Sequence, residues 1–310
     1  LPGAAQDSEK KPIVTRPAIS EEVASLEVIT PVAKDGHEGV GFLRKPPGKG
    51  PFPAVVLFPG SLGGQPAEQM KSIALGTWAS RYLAAGYVVA TITYRARHID
   101  PQSVDAVEDV LAVIEHLRKL SYVDPKSIVL NGSSGGGDLA LSVAAATDLA
   151  AIVPEEPAAF LFTGIYNKQF PKKGDVYTAS DAEPIRADPK KYYTPEYQKL
   201  TREKIARIKC PILIIQGDRP KLGSGLNGVN QFNKEITIPE LRAAGKTLEV
   251  KTYPGEPHSF AFFSTPERTP RPAVARKAFE DVNAFLRKHL RTKPSPMDPS
   301  LVKQVPFGTQ

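Results

Sequence analysis

Among 310 residues there is a single cysteine, Cys210, so neither an intramolecular disulfide framework nor a cysteine-rich zinc site can form. Cys210 precedes the run PILIIQG, which reads as a buried strand, and a small apolar side chain is its expected role there. No apolar run approaches the ~18–20 residues needed to cross a bilayer, which argues against a membrane span. The chain also lacks internal repeats. Its net charge of +7 and pI near 9.3 raise the question of nucleic acid. However, its 40 basic residues are spread among 33 acidic ones, and the short clusters at 168–173 and 287–293 lack the interleaved aromatics of a base-stacking surface. The charge therefore reads as a solvated basic face, and no nucleic-acid partner is expected.

What is present is a globular composition, 41% hydrophobic and 24% charged, long enough for one large domain. The opening LPGAAQDSEKKP places small residues ahead of a polar stretch, the pattern left where a secretory signal is removed. A secreted or periplasmic location is the expectation from that stretch, with a cytoplasmic one as the alternative.

Alternation around Leu26, Val28, Val40 and Phe42 predicts two early strands joined through AKDGHEG, an antiparallel hairpin. The run PFPAVVLFPGSLGG reads as a strand buried on both faces. Residues 66–85 read as helix and lead into a second buried strand, GYVVATITYR. Apolar residues at Val104, Val107, Val110, Leu111, Ile114 and Leu117 recur at helical spacing, with acidic residues mostly on the other side. Further strands are expected at VDPKSIVLNG, AAFLFTG, CPILIIQG and TLEVKTY, with helices at DLALSVAAAT, around 238–244 and from about 274 to 290. Strands alternating with helices predict an α/β fold, a doubly wound and mostly parallel sheet. Residues 164–207, rich in Pro, Lys and Tyr, form a candidate lid insertion. The tail from Thr292 carries three prolines early and reads as irregular.

The stretch IVLNGSSGGGDLAL sets two serines between a strand and a helix. Gly132, Ser133, Ser134, Gly135 and Gly136 satisfy G-x-S-x-G only when centred on Ser134. The spacing alone recurs by chance in about one chain in ten of this composition, so the flanking strand and helix carry the assignment. A serine on a sharp strand-to-helix turn brings the residues two before and two after it close together, and glycines remove the clash. The turn aims the Gly135 amide and the helix N-terminus at the place where an oxyanion develops.

A serine hydroxyl needs a general base. Of the five histidines, His37, His98, His116 and His289 fall in turns, loops or charged helix faces, where solvated or structural roles suffice. His258, in EVKTYPGEPHSFAF, lies on a loop after the last predicted strand, at the carboxyl edge where open α/β sheets bind ligands. A carboxylate between the two in sequence should orient it, and Asp218 in PILIIQGDRP stands just past a strand end. Asp218 could equally serve as a turn residue there.

Together these phrases resemble the α/β-hydrolase superfamily, and within it the dienelactone-hydrolase-like branch that includes the catalytic domain of prolyl oligopeptidases. The matching phrases are PAVVLFPGSLGG, LAAGYVVATITYR, DAVEDVLAVIEHLRKLSYVDPKSIVLNGSSGG, PILIIQGD and EVKTYPGEPHSFAF. The resemblance implies a hydrolase domain over 23–291, an N-terminal extension over 1–22 and a tail over 292–310. It implies Ser134 as nucleophile, His258 as base, Asp218 as acid, and the amides of Gly135 and Ser61 as the oxyanion hole, with no metal or organic cofactor. The family's oxyanion histidine is replaced by Phe58 in Phe58-Pro59-Gly60. The family carboxylate often sits two or three residues after the strand-end glycine, where this chain has Arg219 and Pro220, so Asp175 and Asp181 stand as alternative acids.

A prolyl oligopeptidase gates its site with a propeller, and only about fifty residues precede the hydrolase body here, so a carboxylic-ester hydrolase is expected. Its substrate would be a small-molecule or carbohydrate-linked ester. Tyr166, Tyr192 and Tyr193 are candidates to line an acyl or sugar pocket, or else simply pack the long loop. The rivals are a non-catalytic hydrolase-like binding protein and a small peptidase.

Overall fold

The structure, a computed structural model, describes residues 15–19, 26–60, 64–95, 105–165, 183–219, 227–261, 272–294 and 302–306. Eight strands form the central sheet: β2 (Glu27–Ile29), β3 (Gly41–Arg44), β4 (Phe52–Phe58), β5 (Val88–Ile92), β6 (Val123–Ser133), β7 (Ala151–Glu155), β8 (Ile212–Gly217) and β9 (Leu248–Tyr253). Their spatial order is β2-β3-β5-β4-β6-β7-β8-β9. The first two are antiparallel additions, and every pair from β5/β4 onward is parallel. This is the α/β-hydrolase fold, with the predicted early hairpin at its edge.

The strands alternate between two apolar layers, as period-2 geometry requires. Along β4, Ala54, Val56 and Phe58 join the layer beneath α3 (Asp105–Lys119), α4 (Gly135–Ala144), α5 (Phe160–Thr163) and α8 (Pro195–Arg207). Val55 and Leu57 face the opposite layer, beneath α2 (Thr77–Ala84) and α11 (Pro272–His289). The β4 side chains from Ala54 to Phe58 are fully buried, and each large one contributes about 1.5–3 kcal/mol. The predicted helix over 66–85 is two helices, α1 (Ala67–Leu75) and α2, broken at Gly76, whose backbone is extended. Between β8 and β9 lie α9 (Asn227–Phe232), a π-helical turn and α10 (Ile238–Ala243).

Two expectations require correction. The strand expected at AAFLFTG is instead α5, and the strand preceding it is AIVPE, β7. Pro154 hid it, since a proline within a central strand removes a ladder donor. Along β7 the N–H groups of Ile152 and Glu156 reach Pro211 O and Ile215 O of the β8 side, at 3.0 and 2.9 Å. Pro154 falls between them by parity, and the β7–β8 ladder is registered only at Ile152 and Glu155.

The tail, expected to be irregular, carries β10 (Val302–Pro306), which pairs antiparallel with β1 (Thr15–Ile19) in a separate two-stranded ribbon. Each strand of a ribbon keeps a free edge, so Pro17 and Pro306 are tolerated there. Of the candidate lid, residues 166–182 lie outside the described residues. Residues 183–207 form α6 (Glu183–Ala187), α7 (Pro189–Tyr192) and α8, anchored by buried Ile185, Tyr197 and Ile205.

Candidate active site

β6 delivers the turn. Ser134, between β6 and α4, has φ +53° and ψ −114°, a conformation L-residues rarely adopt. Its N–H donates to Glu155 O at 2.8 Å, and its carbonyl accepts from the amides of Gly137, Asp138 and Ala158 at 3.0, 3.1 and 2.9 Å. The glycines are required sterically. A Cβ on Gly132 would stand 2.2 Å from Gly136 O, and one on Gly136 would stand 2.4 Å from Pro59 O. A Cβ on Gly60 would lie 3.0 Å from Ser134 Cβ, so Phe58-Pro59-Gly60 runs directly beside the serine. As the first residue of α4, Gly135 has an amide with no intrahelical acceptor. Ser61 lies outside the described residues.

The two serines differ in their surroundings. Ser133 is buried as the last residue of β6 and bonds Ser259 Oγ through its hydroxyl at 2.7 Å. Ser134 is half-buried at the strand end.

His258 sits on the loop after β9, with Nδ1 2.7 Å from Glu156 Oε2. The N–H is not aligned along this contact, and neither ring nitrogen has a hydrogen-bond partner among the described residues. The 2.7 Å separation is therefore a close approach rather than an aligned hydrogen bond. Glu156 is fully buried one residue past β7, with φ +42°. Its Oε1 accepts from Gly217 N at 2.9 Å and Asn230 Nδ2 at 3.1 Å, and its Oε2 accepts from Ser259 N at 2.6 Å. Three donors around one buried carboxylate suit the anion. Gly217, ending β8, lets the histidine loop cross at close range: a Cβ there would meet Glu256 O at 2.3 Å and Pro257 O at 2.9 Å.

The expected acid stands elsewhere. Asp218 is exposed, and its Oδ1 accepts from Gly255 N at 2.5 Å, while Arg219 Nε donates to Gly255 O at 2.7 Å. Both side chains brace the turn that begins the histidine loop, the turn role that Asp218 was equally able to fill. Glu156 escaped the sequence reading because its strand was misplaced. The available signal was the apolar run ending in two glutamates, AAIVPEE, directly after the nucleophile helix. Asp175 and Asp181 lie outside the described residues.

The remaining histidines keep away from this constellation or from description. His37 is exposed, His116 lies on α3, His289 packs against Phe285 with ring centroids 4.7 Å apart, and His98 lies outside the described residues. Tyr192 and Tyr193, at the end of α7, pack partly buried against the α3/α4 layer. Burial pushes the Tyr193 phenol up to about 12. Tyr166 lies outside the described residues. A cleft of about 290 Å³, lined in part by Asp218, Arg219, Asn230 and Lys234, opens behind the Glu156 carboxylate.

Among the described residues no group of three or more His, Cys, Asp or Glu could hold a metal ion, and no helix is long and apolar enough to cross a membrane.

Solved structures share this architecture. Carboxyl esterase 2 of the mycorrhizal fungus Tuber melanosporum is 18% identical with a TM-score of 0.59, over 88% of this chain and 90% of its own. An esterase of Pyrobaculum calidifontis is 20% identical with a TM-score of 0.55, over 85% of each chain. An α/β hydrolase enzyme from a Medee basin deep-sea metagenome library is 16% identical with a TM-score of 0.57, over 86% of this chain and 98% of its own. No curated protein matches significantly in sequence. Residues 77–293, from α2 to just past α11, match the prolyl oligopeptidase family. On that match, which takes in the nucleophile turn, Glu156 and the histidine loop together, the chain belongs to the prolyl oligopeptidase family.

Proposed function

We propose that the protein hydrolyses carboxylic esters through an acyl-enzyme, with Ser134 as nucleophile, His258 as general base, and Glu156 rather than Asp218 as the acid. The observation that carries this reading is the 2.7 Å contact between His258 Nδ1 and the buried Glu156 carboxylate, on the same sheet edge as the strained serine. Ser134 Oγ attacks the ester carbonyl as His258 Nε2 takes its proton. Glu156 holds the ring in the tautomer that leaves Nε2 free and stabilises the imidazolium. The amides of Gly135 and Ser61 receive the oxyanion. His258 then protonates the departing alkoxide, and water, activated by the same imidazole, releases the acid. The proposed chemistry draws only on side chains and backbone amides, and the proposed substrate is a small-molecule or carbohydrate-linked ester.

Ser134→Ala should abolish turnover of p-nitrophenyl acetate and labelling by a fluorophosphonate probe, and unchanged turnover in this variant would refute the assignment. Family membership favours a second reading, a peptidase. A higher kcat/KM on short proline-containing p-nitroanilide peptides than on acyl esters would transfer the assignment to amides.

A further inference from the structure

β7 ends in the buried Glu155 and is followed by the buried Glu156, and the chemistry above uses only the second. Glu155 is fully buried, and by strand alternation it points with Ala151 and Val153 into the α2/α11 layer, away from Glu156. Its Oε1 accepts from Ala261 N at 2.7 Å, while its backbone carbonyl accepts from Ser134 N at 2.8 Å. The histidine loop is thus held at three successive points. Glu156 accepts from Ser259 N, the Ser133 hydroxyl donates to Ser259 Oγ, and Glu155 accepts from Ala261 N.

We propose that Glu155 is a positioning residue for the reaction assigned above, tying the loop that carries His258 to the strand end that carries Ser134. The inference rests on that assignment. Ser259 has φ +61°, and such a backbone persists only where its surroundings over-determine it. Without the bond to Ala261, the Ser259 bonds are what remains, among the described residues, of the hydrogen bonds that hold the loop on the far side of His258, and the imidazole is less firmly placed at the sheet edge.

Glu155 does this as a neutral acid. Burial first, and then the neighbouring Glu156 charge, push its carboxyl up to about 8, against the pull of the Ala261 amide and the Ser133 hydroxyl. Among the described residues, the titratable groups that interact with it are Glu156, next to it in sequence and itself facing His258, and the Tyr82 phenol of α2. The paired residues on β6 and β8 are Ser133 and Ile215, and α11 brings Phe279, stacked edge-on to Tyr82 at 5.1 Å. No cation in that set compensates a second negative charge. Because the neutral acid presents a carbonyl-type oxygen to Ala261 N, a glutamine can replace it and a leucine cannot.

The test compares Glu155→Gln and Glu155→Leu in the full chain on p-nitrophenyl acetate at pH 7, with hydrogen exchange at the Ala261 amide as a readout independent of activity. Glu155→Gln should hold kcat within about 3-fold and keep the amide protected. Glu155→Leu should lose kcat by roughly 10- to 100-fold with KM changed less than about 3-fold, and lose the protection. A leucine variant with wild-type kcat and protection overturns the proposal. Should Glu155→Leu not fold, Glu155→Gln decides alone, since loss of kcat or of protection there overturns it. A wild-type protein inert to esters and fluorophosphonate would sink the catalytic assignment instead, and the exchange data would still report on the Glu155 tie.

Discussion

Glu156→Gln separates the two candidate acids most sharply. The carboxylate is approached on both oxygens: Oε1 accepts from Gly217 N and Asn230 Nδ2, and Oε2 accepts from Ser259 N with His258 Nδ1 2.7 Å away. A glutamine has one acceptor oxygen and one NH2 group, so one or two of the three donors lose their acceptor, depending on its orientation. Each such loss costs about 1–3 kcal/mol, together about 1–6 kcal/mol, against the ~5–15 kcal/mol that holds a typical domain folded. The variant should fold and melt roughly 5–15 °C lower. It also removes the charge that stabilises the imidazolium, for which a loss of about 10³–10⁴ in kcat is expected from the logic of the triad. Asp218→Asn keeps an acceptor for Gly255 N on an exposed turn and should change kcat by less than about 2-fold. Ester kinetics and thermal melts of both variants decide the matter. Equal losses in the two variants, or a Glu156→Gln protein with a tenth or more of wild-type kcat, would refute the reasoning.

Two further outcomes follow from the same contacts. Gly217→Ala places a Cβ 2.3 Å from Glu256 O, so the histidine loop must shift. The melt should report a cost of about 1–3 kcal/mol and kcat should fall more than KM rises, whereas unchanged kinetics would show the crossing to be slack. The Glu155 carboxyl is raised from 4.5 to about 8 in the fold, so the native state holds a proton that the unfolded chain releases earlier. Its stabilising contribution is complete below about pH 4.5 and is lost as pH rises toward 8. Melting curves from pH 5 to 8 should therefore show Glu155→Gln gaining on the wild type as pH rises, and a constant difference would contradict the buried neutral acid.

The strained turn that carries Ser134, the proposed nucleophile, was legible from the sequence because most of what defines it is local. Strand, turn and helix are contiguous from Ser127 to Ala144, and the clashes that demand Gly132 and Gly136 arise within the turn and against the neighbouring Phe58-Pro59. The place of His258, the proposed base, was nearly as accessible, since a histidine on the loop after the last strand lies at the carboxyl edge of a parallel sheet. The doubly wound order followed from alternating periodicities. The carboxylate beside His258 was not legible in this way. Asp218 and Glu156 both follow strands at that edge, and no pattern of residues tells which carboxylate the loop will cover. Locating Glu156 required β7, which Pro154 concealed until the pairing with β6 and β8 was known. The choice was then made by contacts across more than a hundred residues, where Gly217 admits the loop, the loop buries Glu156, and Asp218 is left to solvent. Local backbone geometry is written in neighbouring residues, whereas the partner of a buried charge depends on which distant segments pack around it.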